Sequence, residues 1–127
     1  MNMGAEAAFL SAGGYHHHIG LNTWHSAGGT PPPEGHTGLF HIAIHYPDRR
    51  ELTKAVKRVL DHGLVRGGQQ TPADEAVYLD DPDGNGLELY YDLPRERWTD
   101  GEGKLLADRD LFKKLDPKDL LQELSPI

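Results

Sequence analysis

The most regular alternation of apolar and polar positions lies at Glu75–Asp92, EAVYLDDPDGNGLELYYD. Glu75–Leu79 alternates and carries the strand formers Val77 and Tyr78. Asp80–Gly86 is a turn cluster in which Pro82 fixes φ and Gly84, Asn85 and Gly86 accept positive φ. Leu87–Tyr91 then alternates again. Leu87, Leu89 and Tyr91 share one face; Glu88, Tyr90 and Asp92 share the other. The stretch predicts strand, turn, strand. Glu88, flanked by leucines, is expected either in solvent or aimed into a polar cavity.

Leu39–Tyr46 predicts another strand, with Phe40, Ile42 and Ile44 on one face and Leu39, His41, Ala43 and His45 on the other; Pro47 ends it. Asp48–His62 predicts a helix. Asp48 is placed to cap it, Glu51 follows three residues on, and Leu52, Ala55, Val56, Val59 and Leu60 form one apolar stripe ahead of Gly63. Leu64–Gly68 predicts a short strand and Gln69–Asp74 a turn. Leu39–Asp92 therefore has the order β-α-β-β-β, and the fold class is α+β, a curved mixed sheet with the helix on its convex face.

The segments before and after are weaker. Met1–Gly4 is expected as an unpaired lead-in. Ala7–Leu10 and Tyr15–Asn22, around the turn Ser11–Gly14, repeat the last two strands of the unit in faint form: Ala7-Ala8-Phe9-Leu10 parallels Ala76-Val77-Tyr78-Leu79. Thr23–Gly38, with Pro31–Pro33, reads as an extended connector. Beyond Asp92, Trp98 is expected to pack back, Asp110–Leu115 to form a turn of helix, and Asp116-Pro117 to start a helix over Lys118–Leu124. The apolar face of that helix, Leu120, Leu121 and Leu124, is expected to dock on its own domain or on a second subunit. The expected organisation is one domain over residues 1–98 (partial module 7–24, connector 25–38, complete module 39–92) and an extension over 99–127.

Composition narrows the function classes. A chain of 127 residues with net charge −7 and no basic run is a poor nucleic-acid partner. Without cysteine it has neither disulfides nor thiolate metal sites. No apolar run reaches membrane-spanning length and no signal peptide is evident, so no membrane partner is expected and a cytoplasmic location fits. Histidine stands out: the chain has 8, most of them between His16 and His45. It is the commonest metal ligand.

Two of these residues suggest chemistry together. In a β-α-β-β-β unit the first and last strands are expected as neighbours, which would set His41 and Glu88 on the face opposite the helix. An imidazole and a carboxylate on one open face are two of the three ligands of a non-haem iron facial triad. Taken singly, His41 is more ordinary as a packed or surface histidine and Glu88 as a solvated strand residue. A third ligand is sought in His16-His17-His18. If Tyr15–Asn22 is a strand, His17 shares the face of Ile19 and Leu21, and His16 and His18 point into the cavity. His18 is the preferred candidate, as metal ligand or as a catalytic group that hydrogen-bonds substrate or orients a ligand. Tyr90 shares the face of Glu88 and is a candidate to offer its phenol to a substrate oxygen, or simply to line the wall. His25 and His36 lie in the connector, His45 at the strand exit, and His62 reads as a structural residue at the helix C-terminus.

The stretches FLSAGGYHHHIGLNTW (Phe9–Trp24), TGLFHIAIHYPDR (Thr37–Arg49) and AVYLDDPDGNGLELYYDLPRERW (Ala76–Trp98) resemble the vicinal oxygen chelate superfamily, the glyoxalase/bleomycin-resistance/dioxygenase proteins, and within it the catechol 2,3-dioxygenase-like group. The resemblance implies paired β-α-β-β-β modules forming a metal cup. It also implies an Fe(II) centre, with Mn(II) or another divalent metal as the alternative, and a small aromatic diol as substrate. His41 matches the family's second histidine and Glu88 its glutamate. The first histidine belongs to a strand upstream of Ala7 that this sequence does not hold, and where relatives carry Asp-His-Gly this chain has Gln70-Thr71-Pro72. The third ligand is then expected from His18 or from a partner chain, and a homodimer that completes the sheet across subunits is expected. The functional expectation is metal-dependent extradiol ring cleavage. The alternatives are a small-molecule-binding module without catalysis, as in drug-sequestering members, or a truncated inactive paralogue.

Overall fold

A computed structural model of the chain describes residues 4–125, and the lead-in at 1–3 lies outside the described residues. Two units divide the chain, Met1–Thr37 and Gly38–Ile127. In the first, β1 (Ala7–Leu10) pairs antiparallel with β2 (Ile19–Asn22), Leu10 opposite Ile19 and Ala7 opposite Asn22. This strand is shorter than the expected Tyr15–Asn22. His16–His18 lie ahead of it in irregular backbone. The run is shaped by local bonds: Ser11 Oγ donates to Tyr15 O at 2.6 Å, and the His18 backbone N–H donates to Leu10 O at 2.8 Å, at the end of the β1–β2 pairing. The alternation of faces assumed for these histidines therefore does not hold.

The second unit begins with β3 (His41–His45), followed by α1 (Arg49–Asp61), β4 (Val65–Gln70), β5 (Asp74–Asp80) and β6 (Gly86–Asp92). Pairing gives a five-stranded mixed sheet in the order β3-β6-β5-β4-β7, where β7 is Lys113–Leu115 from the C-terminal segment. β3 and β6 run parallel, and the other neighbours are antiparallel. The expected α+β class and β-α-β-β-β order are those observed. Asp48 caps α1 by accepting the Glu51 N–H at 2.8 Å, and the helix closes where the His62 N–H reaches Arg58 O. Its apolar stripe packs on one face of the sheet, with Leu52, Val56, Val77, Leu79, Leu89, Leu115 and Leu120 buried together.

The departures are instructive. Leu39 and Phe40 lie outside β3, and Phe40 is 87% exposed rather than part of the apolar face with Ile42 and Ile44. The strand starts at His41 because its partner β6 starts opposite it at Gly86. β4 runs on through Gln69 and Gln70, where a turn was expected. Its poor strand formers are held by ladders on both sides, β5 and β7, a non-local effect that outweighs propensity. Gly68 permits this: a Cβ there would lie 2.8 Å from Leu115 O on β7. Asp110–Leu115 forms a 3-10 turn at Arg109–Leu111 and then β7, not a helical turn.

The tail folds onto its own unit. Asp116 caps a 3-10 helix, Pro117–Leu124, with Leu120 fully buried against the core. Arg49 bridges Glu75 at 2.8 Å and Glu123 at 2.9 Å, tying the start of α1 to both β5 and the tail. Trp98 turns back, its indole N–H donating to Leu93 O at 2.7 Å. No helix among the described residues is long and apolar enough to cross a membrane.

Candidate functional site

The face of the sheet opposite α1 is organised by the turn between β5 and β6. Asp81 is its clamp: Oδ1 accepts the N–H groups of Asp83 and Asn85 at 2.9 and 2.8 Å, and Oδ2 accepts the Asn85 amide at 2.9 Å. The Asn85 amide and the turn N–H groups hold its carboxyl below the usual range. A turn so fixed sets the register Asp80 to Gly86, Tyr78 to Glu88 and Ala76 to Tyr90. Gly86 is needed where β6 meets β3, since a Cβ there would fall 2.6 Å from Phe40 O and 3.1 Å from His41 Cβ.

In the parallel pairing His41 sits beside Gly86 and Ala43 beside Glu88. Small residues on that diagonal leave room for the imidazole to reach across. His41 Nε2 lies 2.9 Å from Glu88 Oε2, with the two side chains 29% and 13% exposed. The structure thus brings these two candidates together on the open face. Two donors at about 2.0–2.2 Å from one ion and at right angles stand about 3 Å apart. One neutral nitrogen and one carboxylate oxygen at this spacing fit a shared divalent cation.

Tyr78 completes the cluster, and sequence reasoning missed it. Its hydroxyl donates to Glu88 Oε1 at 3.3 Å, leaving Oε2 toward His41. Burial, together with the Glu88 carboxylate and the more distant Asp74, pushes its phenol up to about 12. The signal was present in the turn: counting outward from Asp80 and Gly86 sets Tyr78 across from Glu88. Tyr78 is a donor at neutral pH, not a base. Its phenolate absorbance is expected to emerge near pH 12 in the folded chain and at lower pH, though still above the ordinary tyrosine value of 10.0 because burial remains, in Glu88→Gln. The folded state keeps this proton where an unfolded chain has lost it, so stability is expected to fall as pH rises from 10 towards 12. An alkaline melting series reads both effects; a normal phenol in the natural chain would refute the contact.

Tyr90 stands one row along the same face, 5.0 Å ring to ring from His45, and it makes no contact with the pair comparable to that of Tyr78. His45 Nε2 lies 3.3 Å from Asp92 Oδ2. His18 is in the first unit, with its Nδ1 3.3 Å from Ser11 Oγ and its ring 4.9 Å from Tyr15. His16 and His17 contact one another through Nδ1 atoms at 2.8 Å, and the His17 ring lies tilted against Phe9, 4.6 Å between centroids. His62 Nδ1 meets Arg58 O at 2.7 Å, a helix-end role. Among the described residues no group of three or more His, Cys, Asp or Glu side chains forms a metal-binding cluster.

Comparison with known proteins bears on the family. The family model described as Glyoxalase/Bleomycin resistance protein/Dioxygenase superfamily matches residues 2–89, which run from ahead of β1 to within β6. The chain is 49% identical over 73 residues to a protein named Catechol-2,3-dioxygenase from Bacillus subtilis (strain 168). That match takes in 57% of this chain and 26% of the relative, so the chain spans about a quarter of the relative's length. The β-α-β-β-β sheet, its turn and the family match agree: the chain belongs to the glyoxalase/bleomycin resistance/dioxygenase (vicinal oxygen chelate) superfamily.

Proposed function

We propose that the chain serves extradiol, catechol 2,3-dioxygenase-like ring cleavage, with His41 and Glu88 holding a divalent metal, Fe(II) first and Mn(II) second. The observation that carries this reading is the 2.9 Å approach of His41 Nε2 to Glu88 Oε2 on an open sheet face. The similarity to a protein named Catechol-2,3-dioxygenase supports the choice of a small aromatic diol as substrate.

An iron(II) ion bound there would supply positive charge to hold a diol as its anion and an electron path to dioxygen. The residues do the rest. Glu88 would offer one oxygen to the cation; its other oxygen accepts the Tyr78 hydroxyl, which fixes the carboxylate's rotation. His41 would have to present Nε2 without a proton for that nitrogen to ligate. Tyr90 lines the path along which the ring would lie. Two sources for a third ligand are proposed, His18 and a histidine of a second copy in a homodimer. His18→Ala, read by metal content, distinguishes them.

Iron per chain after anaerobic purification tests the reading. We expect close to one Fe(II) in the natural chain and nearly none in His41→Ala. A chain that stays metal-free even with added Fe(II) and Mn(II) overturns it. That outcome would favour a module that holds an aromatic molecule on the same face without metal.

A further inference from the structure

The core makes no use of the Phe40 side chain. Phe40 precedes β3, is 87% exposed, and stays out of the cluster against which Ile44 packs. Its backbone is placed closely all the same. Phe40 O lies 2.6 Å from where a Cβ on Gly86 would fall, so the chain passes tightly over the residue that follows the Asp81–Asn85 turn. The ring carried by this backbone lies against the His41 imidazole, 4.8 Å between centroids and tilted by 42°. Tyr78 is the next aromatic neighbour of that imidazole, at 6.4 Å and 55°.

The imidazole has few other restraints. The last torsion of a histidine side chain is broad, so its orientation must be imposed by its surroundings. A metal-ligating histidine commonly has it imposed by a hydrogen bond from the second ring nitrogen to a carbonyl or carboxylate. His41 has no such bond: among the described residues Nδ1 has no partner, and the polar contact of the ring is Nε2 to Glu88 Oε2 at 2.9 Å. That contact occupies the atom a cation would take. With Nε2 turned over to a metal, the direct bond to Glu88 is given up, and the ring contacts are what remains to fix the imidazole. Phe40 supplies the closer of the two.

We infer that Phe40 is a positioning residue for His41. Its ring holds the imidazole with Nε2 toward Glu88, in the role that a bond at Nδ1 has elsewhere. The inference rests on the metal reading above and adds a residue that acts through the ligand and donates no atom to the ion. Leu39, its neighbour, is 58% exposed and has no ring, which makes it the natural control.

The test is anaerobic binding of Fe(II) and Co(II) to the natural chain, Phe40→Leu, Phe40→Tyr and Leu39→Ala. Competition against a coloured chelator gives the affinities, and the visible absorption of bound Co(II) reports the ligand geometry. We expect Phe40→Leu to weaken both metals by about tenfold and to alter the Co(II) bands. Phe40→Tyr keeps the ring and is expected to match the natural chain in both readouts, as is Leu39→Ala. Because Phe40 stands outside the core, every variant is expected to keep the natural denaturation midpoint. Phe40→Leu binding as tightly as the natural chain would overturn the inference. So would an equal loss in Phe40→Tyr or Leu39→Ala, or a loss tracked by a lower midpoint. Each of these leaves the His41–Glu88 site standing. A natural chain that takes up neither metal overturns the metal reading itself, and the inference with it.

Discussion

Glu88→Gln is expected to weaken Fe(II) binding by at least about a hundredfold, and Tyr78→Phe by about tenfold. The two substitutions separate a ligand from the group that holds it. Glutamine keeps the length and shape of Glu88, and its carbonyl can still accept the Tyr78 hydroxyl, but the negative charge facing His41 Nε2 is gone. Phenylalanine keeps the ring and the burial of Tyr78 and removes only the hydroxyl. Glu88 then retains its charge and loses the bond that fixes its rotation. Competition against a coloured chelator under anaerobic conditions measures both. The order of the two effects is the sharper readout: if Tyr78→Phe costs as much as Glu88→Gln, the phenol is more than a positioning group. If neither variant differs from the natural chain, the pair is not where the metal sits.

Leu120→Ala is expected to lower stability by about 2–5 kcal/mol, a large share of the 5–15 typical of a natural domain. Leu120 is fully buried in the same cluster as Leu52 and Val56 of α1, although it belongs to a segment far along the chain. Its removal leaves a cavity that the 3-10 helix cannot close by itself, because Asp116 caps its start and Glu123 is held by Arg49 near its end. Lys118→Ala on the exposed side of the same helix is expected to change stability by less than about 0.5 kcal/mol. Denaturant titrations of the two variants compare them directly. A loss at Leu120 no larger than at Lys118 would show that the tail contributes little to the second unit in solution. Glu123→Ala should fall between, within about 1 kcal/mol, since its ion pair is partly exposed.

Much of the second unit was written in its local patterns. The order β-α-β-β-β followed from alternation at Leu39–Tyr46 and Glu75–Asp92 and from the stripe between Leu52 and Leu60, because strand and helix periods are properties of neighbouring residues. The cap at Asp48 and the Asp81–Asn85 turn are likewise local, built from side chains that bond their own backbone. Parity along β3 and β6 was enough to set His41 and Glu88 on one face. Their neighbourhood needed one further assumption, that the first and last strands of the unit pair, and they do so in parallel.

What local pattern did not carry depends on partners distant in sequence. β4 extends through Gln69 and Gln70 because β5 and β7 supply ladders on both sides, and no propensity announces a strand there. The tail's destination was open in the sequence; burial of Leu120 and the Arg49–Glu123 bridge decided for its own unit. Tyr78 escaped notice because a tyrosine in an alternating strand reads as a wall residue until the register sets it opposite a carboxylate. The run His16–His18 failed as a strand because hydrogen bonds from Ser11 and tilted ring contacts with Phe9 and Tyr15 outweigh alternation over so few residues. The sequence by itself therefore determined the fold family and set His41 and Glu88 on one face. Only the tertiary structure decided which donor orients Glu88 and which edge of the sheet the tail closes. Those depend on register and on contacts between distant segments, which are fixed when the whole sheet forms.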